Sequence, residues 1–375
     1  MKWSLQGDRA SFDFAQDEVS RHMASIVRAK KKSIPTLSAG LSRAKASSRR
    51  TRDIIAAMVA TLLFASTAQA QTKLELSHFP GGGTWPILAA QSQGYLADEK
   101  LEVHLNPITS SVAQITDTMA GKYDLGMTAL DNVIAYDAGQ GEAPLKEKAD
   151  LFAFMGGEGG SLHLITAPAV KRIEDLKGKV LGVDAKTTGY AFVLYRIAAM
   201  HGVKPGDYTV AAFGSSQKRL DALLGGQAAA AMLSRPFDAF AVDKGCNDLA
   251  QMQKLFPHYQ STVGFARRAW AKDHRDTLIH FIRAYIRGSL WLFDSSHKDA
   301  ALDLLMKSTP NLTRAQAEGI YRDGIGPGGV MSPMAALDER GIATVVALRS
   351  AYGPSKQKLD ARKFYDLAYY KAAIK

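Results

Sequence analysis

Two hydrophobic periods alternate along the chain. From Lys73 onward, short apolar runs are followed by stretches with apolar residues three and four apart. Residues 74–79, 101–105, 123–127 and 151–155 read as strands. The segments between them read as helices: one after Thr84 closing at Gly94, one carrying Val112, Ile115 and Met119 and closing at Gly121, and one after Thr128 closing at Gly139. Ser111 and Gln114 have the spacing of a capping box. A glycine-rich break, Gly156-Gly-Glu-Gly-Gly160, follows, and the theme then repeats. Residues 162–166, 180–183, 208–213 and 228–233 predict strands. A helical turn at 173–176, helices opening at Thr188 and at Ser215 or Ser216, and a helix after Pro236 lie between and after them. Residues 259–265 predict a return strand. Beyond it the pattern is helical over 276–293, 298–307, 313–321, 332–352 and 363–373. The expected fold class is α/β: two lobes, each a mostly parallel sheet flanked by helices, with the glycine run as a hinge crossing between them.

Charge changes the picture only at the N-terminus. The formal net charge is +11, which taken alone points to nucleic acid or a membrane surface. Residues 1–70 hold 12 Lys/Arg against five acids, or +7, leaving +4 for the other 305 residues. The basic character belongs to the leader, and a nucleic-acid role loses its support. Within the leader, Arg49, Arg50 and Arg52 precede an apolar stretch of 11 residues (54–64), and Ala68-Gln69-Ala70 is a small-x-small cleavage signature. This is the pattern of a signal peptide over 49–70, cut between Ala70 and Gln71. The apolar stretch falls short of the roughly 20 residues a membrane span needs. Residues 1–48 are polar, basic and aperiodic, as expected of a disordered extension or a start assigned too far upstream, with Met23 or a non-Met start as the true one. A periplasmic location follows as an expectation. The single cysteine, Cys246, permits no internal disulfide and no cysteine-based zinc site.

Candidate chemistry gathers where strands end and helices begin. Gly81-Gly-Gly-Thr84, Thr109-Ser-Ser111, Thr128, Thr187-Thr-Gly189 and Ser215-Ser216 all stand at such junctions. In an open parallel sheet the ligand crevice lies outside the carboxyl ends of the strands. Helix N-termini there present unpaired N–H groups and partial positive charge, so a polar or anionic group can be held without Lys or Arg. Each hydroxyl is equally an ordinary N-cap; their recurrence in both blocks, flanking one hinge, argues for a shared cleft. Trp85 is placed either to stack on a ligand or to pack on the adjacent helix. Glu158, in the hinge, is either a partner for a ligand amine or a solvated loop carboxylate. Asp131 and Asn132 either face the cleft or complement a helix dipole. The Gly81–Trp85 run lacks the ending of a P-loop and the spacing of a dinucleotide fingerprint. The nine histidines are scattered, with no zinc-ligand spacing and no nucleophile elbow, and Cys246 has no base partner in the sequence. No cofactor or metal is expected, and no catalytic set.

The chain from about residue 73 to its end resembles the nitrate/sulfonate/taurine-type and thiamine-precursor (pyrimidine)-type periplasmic binding proteins of ABC importers. The resemblance is carried by Gly94-Tyr-Leu with Leu101-Glu-Val, by Ala120-Gly-Lys-Tyr-Asp-Leu-Gly126 and by residues 173–183 (Ile-Glu-Asp-Leu-Lys-Gly-Lys-Val-Leu-Gly-Val). It continues through residues 223–233 (Leu-Leu-Gly-Gly-Gln-Ala-Ala-Ala-Ala-Met-Leu), Arg235-Pro236, and the late helical stretch 335–352. It implies a type II-like fold with lobe 1 over 73–156 plus 262–375 and lobe 2 over 160–258. It also implies capture of a small molecule by lobe closure, delivery to membrane permease subunits, and a monomer. By position the family's ligand contacts would fall on Gly82, Gly83, Thr84, Ser110, Ser111, Thr128, Thr188, Gly189, Ser215 and Ser234. Two departures stand out. Alanines occupy 229 and 230, where Asp is common, and the first loop offers no Arg for a sulfonate. The cysteine-rich iron motif of the eukaryotic pyrimidine-synthase branch is absent. Alternatives at this point are an enzyme on the same fold (a desulfinase or a cofactor-pathway lyase) and an orphan sensory binding module.

Overall fold

The computed structural model describes residues 71–375. The leader, with its expected signal peptide and cleavage position, lies outside them. Ten strands form two five-stranded sheets. Lobe 1 contains β1 (Thr72–His78), β2 (Leu101–Pro107), β3 (Leu125–Ala129) and β4 (Leu151–Gly156). Lobe 2 contains β5 (His163–Thr166), β6 (Val180–Val183), β7 (Thr209–Ala212), β8 (Ala230–Leu233) and β9 (Asn247–Gln251). The chain then returns to lobe 1 as β10 (Thr262–Arg267).

The strand orders are β2-β1-β3-β10-β4 and β7-β6-β8-β5-β9. In the first sheet β1 pairs in parallel with β2 and β3, with Leu74 opposite Val103 and Leu76 opposite Leu125. Only β10 runs against its neighbours. In the second sheet only β5 does. Each lobe thus has one reversed strand, and it is the strand by which the chain enters that lobe from the other. β3, β4, β5 and β8 are buried along their whole length. This is why their sequences read as continuous apolar or small-residue runs without alternation.

Helices cover both faces. In chain order we label α1 (Trp85–Ser92), α2 (Ser111–Met119), α3 (Leu130–Asp137), α4 (Gly189–Met200), α5 (Ser216–Leu224), α6 (Phe237–Asp243), α7 (Arg275–Phe293), α8 (Lys298–Ser308), α9 (Arg314–Ile325) and α10 (Glu339–Tyr352). α7 lays Leu278, Ile282, Tyr285 and Ile286 into the first lobe. α10 ties the lobes together. Its Ile342, Val345 and Leu348 belong to one core cluster that runs from Leu130 and Val133 in lobe 1 to Leu181 and Phe192 in lobe 2. Among the described residues no helix is long and apolar enough to cross a membrane.

Several expected boundaries move. The helix expected over 332–352 starts only at Glu339, where the Asp338 side chain accepts from the Arg340 amide at 3.0 Å. Pro333 and a left-handed Ala335 (φ 54°) keep the preceding residues irregular. The helix expected over 363–373 shortens to Ala368–Ala373. The cap of α2 is Ser110, one residue before the expected capping box, and Ser111 is released for another contact. Thr128 lies inside β3, not at the head of α3. β9 went unanticipated, because Asn, Asp and Gln are weak strand formers; it exists through its ladder to β5.

The glycine break also differs in its reason. Gly156, Gly157, Gly159 and Gly160 all have ordinary φ, so left-handed freedom is not what selects them. Close packing is. A Cβ on Gly156 would lie 2.2 Å from the Ala336 carbonyl oxygen. The crossing is also bonded to its neighbours: Gly157 N–H donates to Thr262 O (2.9 Å), Gly159 N–H to Val330 O (2.6 Å), and Ser261 N–H to Glu158 O (3.1 Å).

Candidate functional site

A cleft of about 1460 Å³ lies between the two sheets. The carboxyl ends of β1, β3, β6 and β8 open onto it through His78, Thr128, Asp184 and Ser234. Of the residues expected at the site, Gly83, Thr84, Trp85, Thr128, Glu158, Thr188, Gly189, Ser215 and Ser234 line this cleft. Gly82 belongs to the single 3-10 turn Gly82–Thr84 that leads into α1.

Three of the expected residues are engaged elsewhere and are not among those lining the cleft. Ser110 caps α2 through Ala113 N–H. Ser111 donates a short hydrogen bond to Asp184 Oδ2, from lobe 1 to lobe 2. Asp131 is fully buried and bound by Arg349 of α10 in a two-pronged pair, Nε to Oδ1 at 2.6 Å and Nη2 to Oδ2 at 2.5 Å. Neither partner has any exposed side-chain surface. The same guanidinium donates to Thr187 O (2.7 Å) in lobe 2 and lies over the Phe192 ring at 5.0 Å. Such a fork satisfies a buried carboxylate in one geometry. Sequence reasoning missed it because the two residues are 218 positions apart. Gly189 is the residue that lets these parts meet: a Cβ there would lie 2.5 Å from Asp131 Cβ and 2.7 Å from the Tyr259 hydroxyl.

The caps behave unevenly. Ser215 accepts from Lys218 N–H as an N-cap should. Thr84 and Thr188 turn their hydroxyls back onto carbonyls, Thr84 to Gly81 O (3.0 Å) and Thr188 to Ala185 O (3.0 Å). The first-turn N–H groups of α1 and α4 therefore have no side-chain cap at the cleft. Trp85 borders the cleft and packs in a cluster with Trp291, Leu302 and Ile320.

Glu158 and Arg219 stand at the cleft with neutral hydrogen-bond partners and no opposite charge in contact. Glu158 accepts from Thr262 Oγ1 (3.0 Å) and Ser161 Oγ (3.3 Å). Burial holds its carboxyl above the usual glutamate range, and those two hydrogen bonds offset part of that shift. Arg219 is 4% exposed and is held wholly by neutral oxygens. Its Nε donates to Met232 O (2.9 Å), Nη2 to Ser216 Oγ (2.9 Å), and Nη1 to Gly214 O. Ser216 Oγ in turn receives Ser234 Oγ (2.9 Å) and Ser234 N–H (3.2 Å). Three of the five N–H bonds of the guanidinium are so used, leaving two. Burial lowers the affinity of Arg219 for its proton. A second arginine, Arg235, also lines the cleft and pairs with Asp323 (2.5 Å).

The expectation of a cleft without fixed cations is thereby corrected. The signal was present in α5. Ser216 and Arg219 are three apart and so share a helix face, but Arg219 beside Lys218 and Asp221 reads as part of a solvated face. Cys246, the one thiol, is buried in lobe 2 among Leu220, Phe237 and Ala241, outside the cleft lining. Burial raises its pKa, so it offers no thiolate to the cleft.

Two sheets with these orders, joined by paired crossings around a cleft, make the two-lobed fold of periplasmic binding proteins. Solved structures carry the same fold. The alkanesulfonate-binding protein SsuA of Xanthomonas axonopodis pv. citri, bound to MOPS, matches with a TM-score of 0.61 at 17% identity, over 82% of this chain and 99% of that one. The periplasmic nitrate-binding protein NrtA of Synechocystis PCC 6803 matches with a TM-score of 0.66 at 12% identity, over 81% and 88%. A DszB mutant in complex with biphenyl-2-sulfinic acid matches with a TM-score of 0.56 at 11% identity, over 80% and 98%. No curated protein matches the sequence. The family model described as NMT1/THI5 like matches residues 83–298, more than half of the chain, and the chain belongs to that family.

Proposed function

We propose that the protein is an extracytoplasmic solute-binding protein that captures a small polar, anionic or heteroaromatic molecule by lobe closure and hands it to the permease of an ABC-type importer. The observation that carries this reading is the buried Arg219. It stands in the cleft wall with no carboxylate in contact and with N–H bonds to spare. A buried cation satisfied only by neutral oxygens is costly to keep, and an anionic or strongly accepting ligand offsets that cost. Ser216, Ser234 and the N-terminus of α5 surround it with further donors. Glu158 supplies the complementary function, accepting from a ligand N–H while ionised. Trp85, Thr84 and Gly83 of lobe 1 would close over the ligand's apolar part. The relatives support the reading through what they bind, an alkanesulfonate-type ligand and nitrate.

Closure needs differential affinity: a ligand that binds open and closed states equally shifts nothing. Export through the 49–70 segment places the protein in the periplasm, and N-terminal sequencing of the secreted form should begin at Gln71. An enzyme on the same fold would need a Cys/His or carboxylate set converging on the cleft, and Cys246 lies outside the cleft lining. The function is tested by a thermal-shift panel of sulfonates, nitrate, aromatic acids, pyrimidines and flavins. A compound that stabilises the wild type and does so more weakly in Arg219→Gln supports it. A compound that stabilises both equally, or that is turned over, overturns it.

A further inference from the structure

Two arginines join the lobes, Arg349 (paired with Asp131 within lobe 1) through Thr187 O of lobe 2 and Arg235 of lobe 2 through Asp323 of lobe 1, and their surroundings differ. Arg349–Asp131 is wholly buried and lies outside the cleft lining. Arg235–Asp323 joins lobe 2 to α9 of lobe 1; its side chains are 18% and 33% exposed, and Arg235 borders the cleft. Other cross-lobe contacts sort the same way. On the cleft side, Ser215 N–H donates to Thr109 O (2.9 Å), and Ser111 donates to Asp184. Away from the cleft, Arg349 Nη2 donates to Thr187 O, and α10 packs on both α3 and α4.

We infer that the lobes open by pivoting where Arg349, held by Asp131, donates to Thr187 of lobe 2, while the Arg235–Asp323 pair parts, so that Arg235 and Asp323 set the closing equilibrium. Pulling lobe 2 away from α10 would leave the Thr187 carbonyl without its donor and expose the apolar cluster that Ile342, Val345 and Leu348 share with Leu181 and Phe192. The Arg235–Asp323 pair is already partly open to water and parts at lower cost, because water takes over both ions. Any motion that opens the cleft must break one set of contacts or the other, so the hinge stays where breakage is expensive. Arg235 is also held from behind: Asp238 Oδ2 lies 3.9 Å from its Nε and 3.7 Å from His163 Nδ1, and His163 is bonded to Asp248 at 2.8 Å. The clasp arginine is therefore anchored in lobe 2, and on opening it is Asp323 that leaves. Asp323 keeps Arg322 as a neighbour at 3.0 Å. Gly81 completes the latch. Its φ of 145° brings the glycine loop against the Arg235 carbonyl oxygen, 3.1 Å from where a Cβ would stand.

The inference rests on the reading of the cleft as one that closes on a ligand, but its test needs none. Small-angle scattering and amide hydrogen exchange are measured on the ligand-free wild type and on Asp323→Asn, Asp323→Glu, Arg235→Gln and the Arg235→Gln/Asp323→Asn double variant. Expected are a larger radius of gyration for Asp323→Asn and Arg235→Gln, no further increase in the double variant, and a wild-type radius for Asp323→Glu. Exchange should speed up at the Ser215 amide and stay slow in α4 and α10. An Asp323→Asn scattering curve that superimposes on the wild type overturns the clasp. Loss of protection at α4 and α10 together with Ser215 overturns the pivot. Failure of the thermal-shift panel would reject the ligand reading and leave these outcomes unaffected.

Discussion

The two lobes share one strand order but meet the cleft with opposite chemistry. Every described cleft-lining residue of lobe 1 is apolar, glycine, hydroxyl, amide or His78, and none is Lys, Arg, Asp or Glu. Lobe 2 brings Asp184, Lys218, Arg219, Asp221, Arg235, Asp243 and Lys244. The hinge adds Glu158 between them. The same topology therefore serves two tasks. In the proposed function lobe 2 reads the charge of a ligand, and lobe 1 covers its apolar surface and excludes water. Exclusion of water strengthens the electrostatic contacts made on the other wall, since a charge pair gains as the local dielectric falls.

The comparison is broken most severely at the join. Arg349→Met leaves Asp131 charged, buried and unpaired. The expected loss is about 3–5 kcal/mol of stability, read by chemical denaturation. If the loss is under about 1 kcal/mol, α10 is not what holds the lobes in register.

A smaller effect is expected on the charged wall. Arg219→Gln keeps a donor near Ser216 but removes the cation. Binding of an anionic compound from the panel should weaken by about 1.5–3 kcal/mol, roughly 10- to 150-fold in Kd by titration calorimetry. Thr84→Ala on the uncharged wall should change the same Kd by less than about tenfold, because its hydroxyl is already spent on Gly81 O. Equal effects on both walls would erase the division of labour.

Glu158 sharpens the comparison at the seam. Its folded pKa is raised from 4.5 by burial, so the fold favours the protonated carboxyl. That contribution is fully present below the unfolded pKa and is lost as pH rises through the folded value. Glu158→Gln should therefore be more stable than the wild type at neutral pH, and the difference should vanish below about pH 4. Thermal unfolding across pH checks this. A pH-independent difference would mean that the fold does not shift this carboxyl, and a Gln variant that loses stability relative to the wild type as pH rises would mean that a partner stabilises the carboxylate. The smallest effect belongs to Cys246→Ala, remote from both walls. It should cost about 1 kcal/mol of packing and leave binding unchanged.

Much of this architecture was legible from residue pattern. The alternation of apolar runs and helical spacing placed nine of the ten strands within a few residues, because strands buried on both faces must be apolar throughout. The strand-end hydroxyls were legible for a related reason: a helix that begins at a sheet edge needs a cap there, and an open sheet puts that edge at its crevice. The charges were not. Arg219, Arg235 and Arg349 each sit on a helix or loop whose local pattern is that of a solvated surface. What makes them buried or cleft-facing is another part of the chain: the carbonyls of Met232 and Gly214 for Arg219, Asp323 for Arg235, and Asp131 with Thr187 for Arg349.

The sequence by itself determined most of the secondary elements, their grouping into two blocks, and the expectation of a crevice between them, all of which follow from local periodicity and from short-range capping. Only the tertiary structure decided which charges face the cleft, which are cancelled in the core, and that Asp131 belongs to the second group. The physical reason is range. Hydrophobic periodicity is a property of neighbours in the chain, whereas the environment of a charge is fixed by whatever folds against it, here from up to 218 residues away.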